Sequence, residues 1–324
     1  VQALAEAPGA DVLKLWEGLG YYARAVRAQE TARVLVRTAG GEFPRTLEGL
    51  RALPGIGPYT AAAVGSLALG LDAAVVDGNV IRVLARVMLC ADDVRRPAAR
   101  ARFQAWADAL LPRGRAGAFN ESLMELGATV CTPRRPVCPV CPLRLVCQAR
   151  REGRMESYPV KAAAAKVPHK QEGAGLVVNR RGELLIAQRH EKTMLGGLWE
   201  FPGGKQEPGE TMPACIQREL REELGVEVGV GDHFVTVRHA FSHFTMDLHA
   251  HWARLRRGRP RPVDCAACRW VRPAELPKFA FGRADLKIIE ALAQAGWPGL
   301  DAPGGPGIPR PAARRRAPRA GKPG

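Results

Sequence analysis

Four cysteines, Cys131, Cys138, Cys141 and Cys147, fall within seventeen residues in the spacing C-x6-C-x2-C-x5-C. Thiolates this close can surround one metal centre. Zinc would accept four sulfurs in a tetrahedron, and a [4Fe–4S] cluster would accept one sulfur per iron. Nothing at the start of the chain reads as an export signal, so metal binding is preferred over disulfides. A second concentration of chemistry is Glu219, Glu222 and Glu223. Their i, i+3, i+4 spacing puts three carboxylates on one helix face, where Mg²⁺ could bridge a diphosphate and activate water. Arg218 can orient a neighbouring carboxylate. Asp77 opens the apolar-periodic run GNVIRVLAR; it reads as a helix N-cap or as an anion set against developing positive charge. LPGIGPYTAAAV, from Leu53 to Val64, sets Gly55 and Gly57 in a tight turn ahead of a helix. Backbone N–H groups at such a turn can approach a phosphate, although a plain helix–turn–helix corner has the same pattern. Cys265 and Cys268 form a lone C-x2-C downstream of His249 and His251. Zinc is conceivable there, and strand packing of two small thiols is the simpler reading. Cys90 and Cys215 read as structural.

The elements that must position these groups change character along the chain. Residues 1–130 read as successive helices, among them AQETARVLVRTAG, NVIRVLARVML and RFQAWADALL, with apolar positions three and four apart. The cysteine motif, residues 131–150, closes this region. Residues 151–172 are polar and basic and read as a linker. From residue 173 to 296 the pattern is α/β. AGLVVNR and GELLIAQR read as strands joined at Asn179–Gly182, a Gly-rich loop and a charged helix follow, and HFVTVRHAF and TMDLHAHWARL continue the strands. Residues 297–324 are Pro-, Gly- and Arg-rich and are expected to be a disordered basic tail. The fold class is therefore multidomain: an all-α domain with the cysteine motif, then an α/β domain. A length of 324 residues agrees with two cores.

Lys plus Arg number 48 against 32 Asp plus Glu, a net charge of +16. By count it divides as +6 over residues 1–150, +5 over 151–300 and +5 over 301–324. A basic excess in every segment suits a polyanion, although an Arg-rich codon bias gives the same excess. No apolar run reaches the roughly 18 residues of a membrane span. Residues 1–168 contain no histidine, which removes histidine-based catalysis from the helical half.

The hairpin followed by Asp77 twenty residues after Gly57 resembles the helix-hairpin-helix DNA glycosylase superfamily. The strand-cutting branch of that superfamily carries a lysine two residues after the second hairpin glycine, where this chain has Tyr59. The DGNV at Asp77–Val80 and GLGYYARA at Gly18–Ala25 instead resemble the A/G-specific adenine DNA glycosylase (MutY) family. That resemblance implies removal of adenine mispaired with 8-oxoguanine or guanine, in base excision repair. It makes Asp77 the essential carboxylate, because rupture of a base–sugar bond develops positive charge on the sugar. It places Tyr59 and Asn79 around the adenine pocket and Gly55 and Gly57 on the DNA backbone. Tyr21 becomes an aromatic wedge entering the base stack while the target base is flipped out; ordinary helix packing would also account for it. The cysteine spacing is the superfamily's iron–sulfur signature, so the resemblance selects [4Fe–4S] over zinc.

Gly204–Val226, GKQEPGETMPACIQRELREELGV, matches the Nudix box G-x5-E-x7-R-E-U-x-E-E-x-G-U at every fixed position, U being aliphatic. RHAFSHF, Arg238–Phe244, resembles the recognition segment of the glycosylase's C-terminal domain and implies that Ser242 contacts 8-oxoguanine. In the family this box is usually degenerate. Here it is intact, so Mg²⁺-dependent hydrolysis of oxidised nucleoside triphosphates is an alternative reading, with the helical half tethering the enzyme to DNA. A DNA-binding protein without catalysis is the third. The family also carries a catalytic glutamate in an N-terminal helix ahead of the present Val1, which implies slow excision by this chain unless an acid such as Glu17 or Glu125 substitutes. The expected partner is double-stranded DNA with A:8-oxoguanine or A:G mispairs. The protein is expected to be a cytoplasmic, nucleoid-associated monomer.

Overall fold

The computed structural model describes residues 1–162 and 167–296. The expected basic tail lies outside the described residues. The chain opens with helices α1 (Gln2–Glu6), α2 (Gly9–Leu15) and α3 (Ala23–Ala39). Two compact units form. One holds Val1–Glu6 and the chain from Arg27 through the cysteine motif; the other holds Ala7–Val26 and the chain from Val167 onward.

The first unit is helical, as its 3.6-residue periodicity dictates. It continues with α4 (Leu47–Arg51), α5 (Pro58–Leu69), α6 (Gly78–Val87), α7 (Pro97–Leu110), α8 (Ala116–Glu125) and α9 (Gln148–Arg151). Proline occupies the first position of α5 and α7, where its missing N–H costs nothing. The main core joins Val80, Val83 and Leu84 of α6 to Phe103 and Ala107 of α7 and Leu123 of α8. Phe103 is fully buried, and truncating such a ring costs roughly 3–5 kcal/mol. A smaller core unites Leu35, Leu50, Leu53 and Ala61 behind the glycine turn.

Residues 151–162, expected as the start of a linker, dock on this unit instead. Tyr158 is buried in the main core, Val94 N–H donates to Val160 O, and Ala162 N–H donates to the Asp93 carboxylate. The docking uses backbone groups and one aromatic ring, which leave no periodic trace in the sequence.

The second unit is a seven-stranded sheet with helices α10 (Met212–Leu224) and α11 (Arg283–Ala295). Its strands are β1 (His169–Val178), β2 (Leu184–Gln188), β3 (Trp199–Glu200), β4 (Gly203–Lys205), β5 (Glu227–Ala240), β6 (Thr245–Arg257) and β7 (Ala267–Val271). The order is β3-β2-β1-β6-β5, with β4 paired to β1 and β7 to β2; β1 runs parallel to β6. Strand β1 begins at His169, earlier than the sequence pattern suggested, because His169–Glu172 pair with Thr245–Leu248 while remaining polar. Both faces of the sheet are covered, so β1 is continuously buried from Gly173 to Val178. Leu176 and Val178 face a core with Trp252, Phe281 and Ile288, and Val177 faces Ile216, Leu220 and Leu224 of α10.

Segment Ala7–Val26 belongs to this unit through backbone contacts with residues 279–281. Lys14 Nζ donates to Phe279 O (3.0 Å), Tyr22 Oη to Phe281 O (3.2 Å), and Phe281 N–H to Glu17 Oε1 (2.9 Å).

Candidate active site and cysteine cavity

Asp77 is the N-cap of α6, as its position before an apolar-periodic run requires. Its Oδ1 accepts from Val80 N–H at 2.7 Å and its Oδ2 from Asn79 Nδ2 at 3.0 Å. The segment leading to it is pinned from a distance. Buried Asn120 on α8 accepts from Val75 N–H (3.1 Å) and donates to Ala73 O (2.8 Å) and Ser66 Oγ (2.9 Å). A chain so fixed two residues before the cap leaves the half-buried carboxylate little freedom.

Asn79 is oriented by a group the sequence reading missed. Arg82 Nη2 donates to Asn79 Oδ1 at 2.7 Å, which obliges the amide to turn its N–H₂ toward Asp77. The same guanidinium donates through Nη2 to Gly127 O (2.6 Å) and through Nε to Cys131 O (2.7 Å). Burial draws its pKa down, opposed by the nearby Cys131 thiol. Gly127 lies in a π-helical turn, Leu126–Val130, that delivers the chain to Cys131.

Gly55 sits at φ +73°, and a Cβ there would lie 2.6–3.0 Å from the Arg27 side chain, so only glycine fits. Gly57 caps α5, and Tyr59 stands exposed in its first turn. The glycine turn thus lies against Arg27 and leads directly into the N-terminus of α5. In the second unit, Tyr21 is 72% exposed at φ +49° with the Arg24 guanidinium 5.4 Å from its ring, and it does not pack into a core. The carboxylate of Glu17 is occupied by Lys14 and Phe281 N–H, and Glu125 is exposed on α8. Glu125, in the same unit as Asp77, forms no hydrogen bond with it among the described residues.

Cys131, Cys138, Cys141 and Cys147 line one open depression together with Arg86 and Arg144. Burial first, then its neighbours Cys131, Cys147 and Cys141, raises the Cys138 thiol pKa. Among the described residues no three His, Cys, Asp or Glu side chains are grouped tightly enough for a single metal ion. Arg86 is 1% exposed beneath the cavity and donates from Nη1 to Cys131 Sγ at 3.2 Å.

The carboxylate helix is α10. Thr211 caps its start, and Arg218 gathers the acids: Nε and Nη2 fork onto Glu210 (3.0 and 3.1 Å), and Nη1 reaches Glu219 (2.8 Å) and Glu222 (3.2 Å). At Gly204 an added Cβ would fall 2.5 Å from the Glu219 carboxyl carbon, so a larger residue there would displace that carboxylate. Glu223 points inward. Its Oε2 is buried with no hydrogen-bond partner, and burial, Glu200 and Glu219 push its pKa up to about 8. Asp285, also inside, accepts from Phe201 N–H and is pushed up to about 7 by burial and Glu200.

Ser242 and His243 are exposed at the tip of the β5–β6 hairpin. The tip is braced by Phe241 N–H to Phe244 O (2.8 Å), stacked Phe241 and Phe244 rings, and Lys170 Nζ 3.9 Å from the Phe244 ring. Cys265 is buried and Cys268 lies in β7 opposite Ala187, both packed against α10's core.

Residues 1–108 match the HhH-GPD superfamily of base excision DNA repair proteins, and residues 173–291 match the NUDIX domain. The chain is 33% identical to the adenine DNA glycosylase of Homo sapiens over 337 residues, covering 89% of this chain and 62% of that protein. It is 41% identical to the adenine DNA glycosylase of Mycolicibacterium smegmatis over 191 residues, 59% of this chain and 62% of that one. The adenine DNA glycosylase of the Acyrthosiphon pisum strain of Buchnera aphidicola is 29% identical, with 76% and 68% covered. The chain spans somewhat under two thirds of the length of the human relative it matches.

Proposed function

We propose that the chain acts as the adenine DNA glycosylases it resembles do by name, and removes adenine mispaired with 8-oxoguanine or guanine in duplex DNA. The observation that carries this reading is the Asp77 carboxylate, fixed at the start of α6 by Val80 N–H and by an Asn79 amide that Arg82 orients. A fixed anion costs no reorganisation when positive charge grows on the sugar. Gly55 and Gly57 would grip backbone phosphate, Tyr59 would border the flipped adenine, and Tyr21 would fill the vacated stack. Exposure of Tyr21 supports the last role, since a packed ring could not enter a helix. Ser242, at a braced and exposed hairpin tip, would contact 8-oxoguanine.

The test compares adenine release from duplexes with 8-oxoguanine, guanine or thymine opposite the adenine. Release confined to the first two, and lost in Asp77→Asn, is expected. Ser242→Ala should narrow the preference for 8-oxoguanine over guanine. Release of adenine from A:T pairs at the same rate would contradict the assignment.

Cys131, Cys138, Cys141 and Cys147 would hold a [4Fe–4S] cluster. The fit rests on the donor set: four thiols of one seventeen-residue segment line one cavity. With that lining, the family resemblance selects a group taking one sulfur per iron over zinc. The cluster would cross-link residues 131–147, and through Cys131 it would hold the carbonyl that receives Arg82.

A second reading is favoured by one atom. The Oε2 of Glu223 is buried without a hydrogen-bond partner, and its carboxyl pKa is raised to about 8. Mg²⁺ held by Glu219, Glu222 and Glu223 would satisfy it and could activate water against an oxidised nucleoside triphosphate. Arg218 now holds Glu219 and Glu222, so they would have to turn for loading. Mg²⁺-dependent pyrophosphate release that Glu222→Gln removes would support it; absence of turnover over a nucleotide panel would leave the domain as a lesion reader. Among the described residues no helix is long and apolar enough to cross a membrane. On either task we propose that the protein works as a monomer in the cytoplasm, at the nucleoid, where DNA and its precursors lie.

A further inference from the structure

We infer that Arg86 is the buried charge partner of the iron–sulfur group, a positioning residue that sets the group's potential and retention; this rests on the cluster reading above. Arg86 lies on α6, one turn beyond Arg82, and is 1% exposed. Among the described residues, the partners of its guanidinium lie at the start of the cysteine motif or in the docked segment that follows it. Nε donates to Tyr158 O (3.0 Å), Nη1 to Thr132 O (2.8 Å), Cys131 O (3.3 Å) and Cys131 Sγ (3.2 Å), and Nη2 to Pro133 O (3.1 Å). Its own carbonyl accepts from Cys147 Sγ at 3.6 Å. Carbonyl dipoles solvate a guanidinium but carry no net charge, and among the described residues Arg86 forms no ion pair with a carboxylate.

An enclosed cation without an anion is costly, and removing one partner of a buried pair is far worse than never having had it. The site that faces Arg86 is the one place in this unit where a concentrated negative charge is implied. Four thiolates around an iron–sulfur core carry net negative charge, and reduction makes it more negative. A fixed cation with a hydrogen bond to one ligand sulfur favours the reduced form and slows loss of the thiolates. Arg144 and Arg150 also line the cavity but are exposed, where water screens their charge. Arg86 alone is dry.

The full chain is purified as wild type, Arg86→Lys, Arg86→Gln and Arg86→Met, and four quantities are read: iron and sulfide content, visible absorbance, reduction potential, and the rate of bleaching by chelator with oxidant. The wild-type and Lys proteins should share one potential, while Gln and Met shift to lower potential and bleach severalfold faster. With iron removed, the order of helix retention should reverse, because Arg86→Met no longer buries an unpaired charge. Equal potentials and bleaching in all four, or a Lys variant as labile as Gln, would overturn the charge assignment. If Gln and Met do not accumulate, the Lys protein carries the test: a potential below wild type overturns it. Wild-type protein without iron or sulfide would instead remove the cluster reading itself, an outcome separate from iron-replete protein indifferent to residue 86.

Discussion

Arg82 ties the candidate catalytic carboxylate to the cysteine motif: its Nε donates to Cys131 O at 2.7 Å while its Nη2 holds the amide of Asn79 at 2.7 Å. Asp77, Asn79, Arg82 and Cys131 thus form one hydrogen-bonded chain across 54 positions of sequence, the difference between 131 and 77. Disturbance of the cysteine loop would reach Asp77 through Arg82 and Asn79, without a substitution at either Asp77 or Asn79.

Arg82→Gln should therefore act twice. It leaves Gly127 O and Asn79 Oδ1 without the Arg82 donor and Cys131 O with only the longer Arg86 contact, which costs about 2–3 kcal/mol in thermal or urea unfolding. It also frees the Asn79 amide to rotate, so binding of a cationic sugar analogue in DNA should weaken more than binding of ordinary duplex. Equal weakening of both ligands would show that Arg82 only supports the fold.

Gly55→Ala places a Cβ at φ +73° and against Arg27, so it should destabilise the helical unit by about 1–2 kcal/mol. The displaced turn should also lose phosphate contact. Duplex affinity measured against salt concentration should fall, with a shallower slope. An unchanged slope would place the phosphate contacts elsewhere.

The pH dependence of the NUDIX unit follows from Glu223. Its pKa is raised from 4.5 to about 8 in the folded state, so between these values the folded form binds a proton that the unfolded form releases. Stability must then fall as pH rises through that window, by roughly 2–4 kcal/mol in metal-free protein. Asp285, raised to about 7, acts in the same direction. Mg²⁺ binds the ionised form, so it should reduce the fall and bind more tightly as pH rises. Urea midpoints followed through the tryptophans at 199, 252 and 270 check this, and a flat profile without metal would contradict it.

Much of this site could be read from spacing because its chemistry is local. Four cysteines lie in one seventeen-residue segment, and three glutamates and Asp77 are each ordered by the period of a single helix. What escaped were partners brought in by tertiary folding. Asn120 reaches Val75 from 45 positions away, and Arg86 reaches Tyr158 from 72. A buried arginine or asparagine on an amphipathic helix has the same sequence signature as an exposed one. Placement of Ala7–Val26 with the sheet unit was equally hidden, since its anchors on Phe279 and Phe281 are backbone atoms. Docking of residues 151–162 escaped for the same reason.

The central claim is that Asp77 is a fixed anion awaiting positive charge on a deoxyribose. A duplex carrying a cationic azasugar opposite 8-oxoguanine, in place of the adenine nucleotide, imitates that charge without requiring base release. Its affinity is measured against the same duplex with a neutral abasic analogue, for wild type and Asp77→Asn. Wild type should prefer the cation by about 100-fold or more, and Asp77→Asn should lose that preference while holding the neutral duplex as before. A preference for the cation that survives Asp77→Asn would contradict the account.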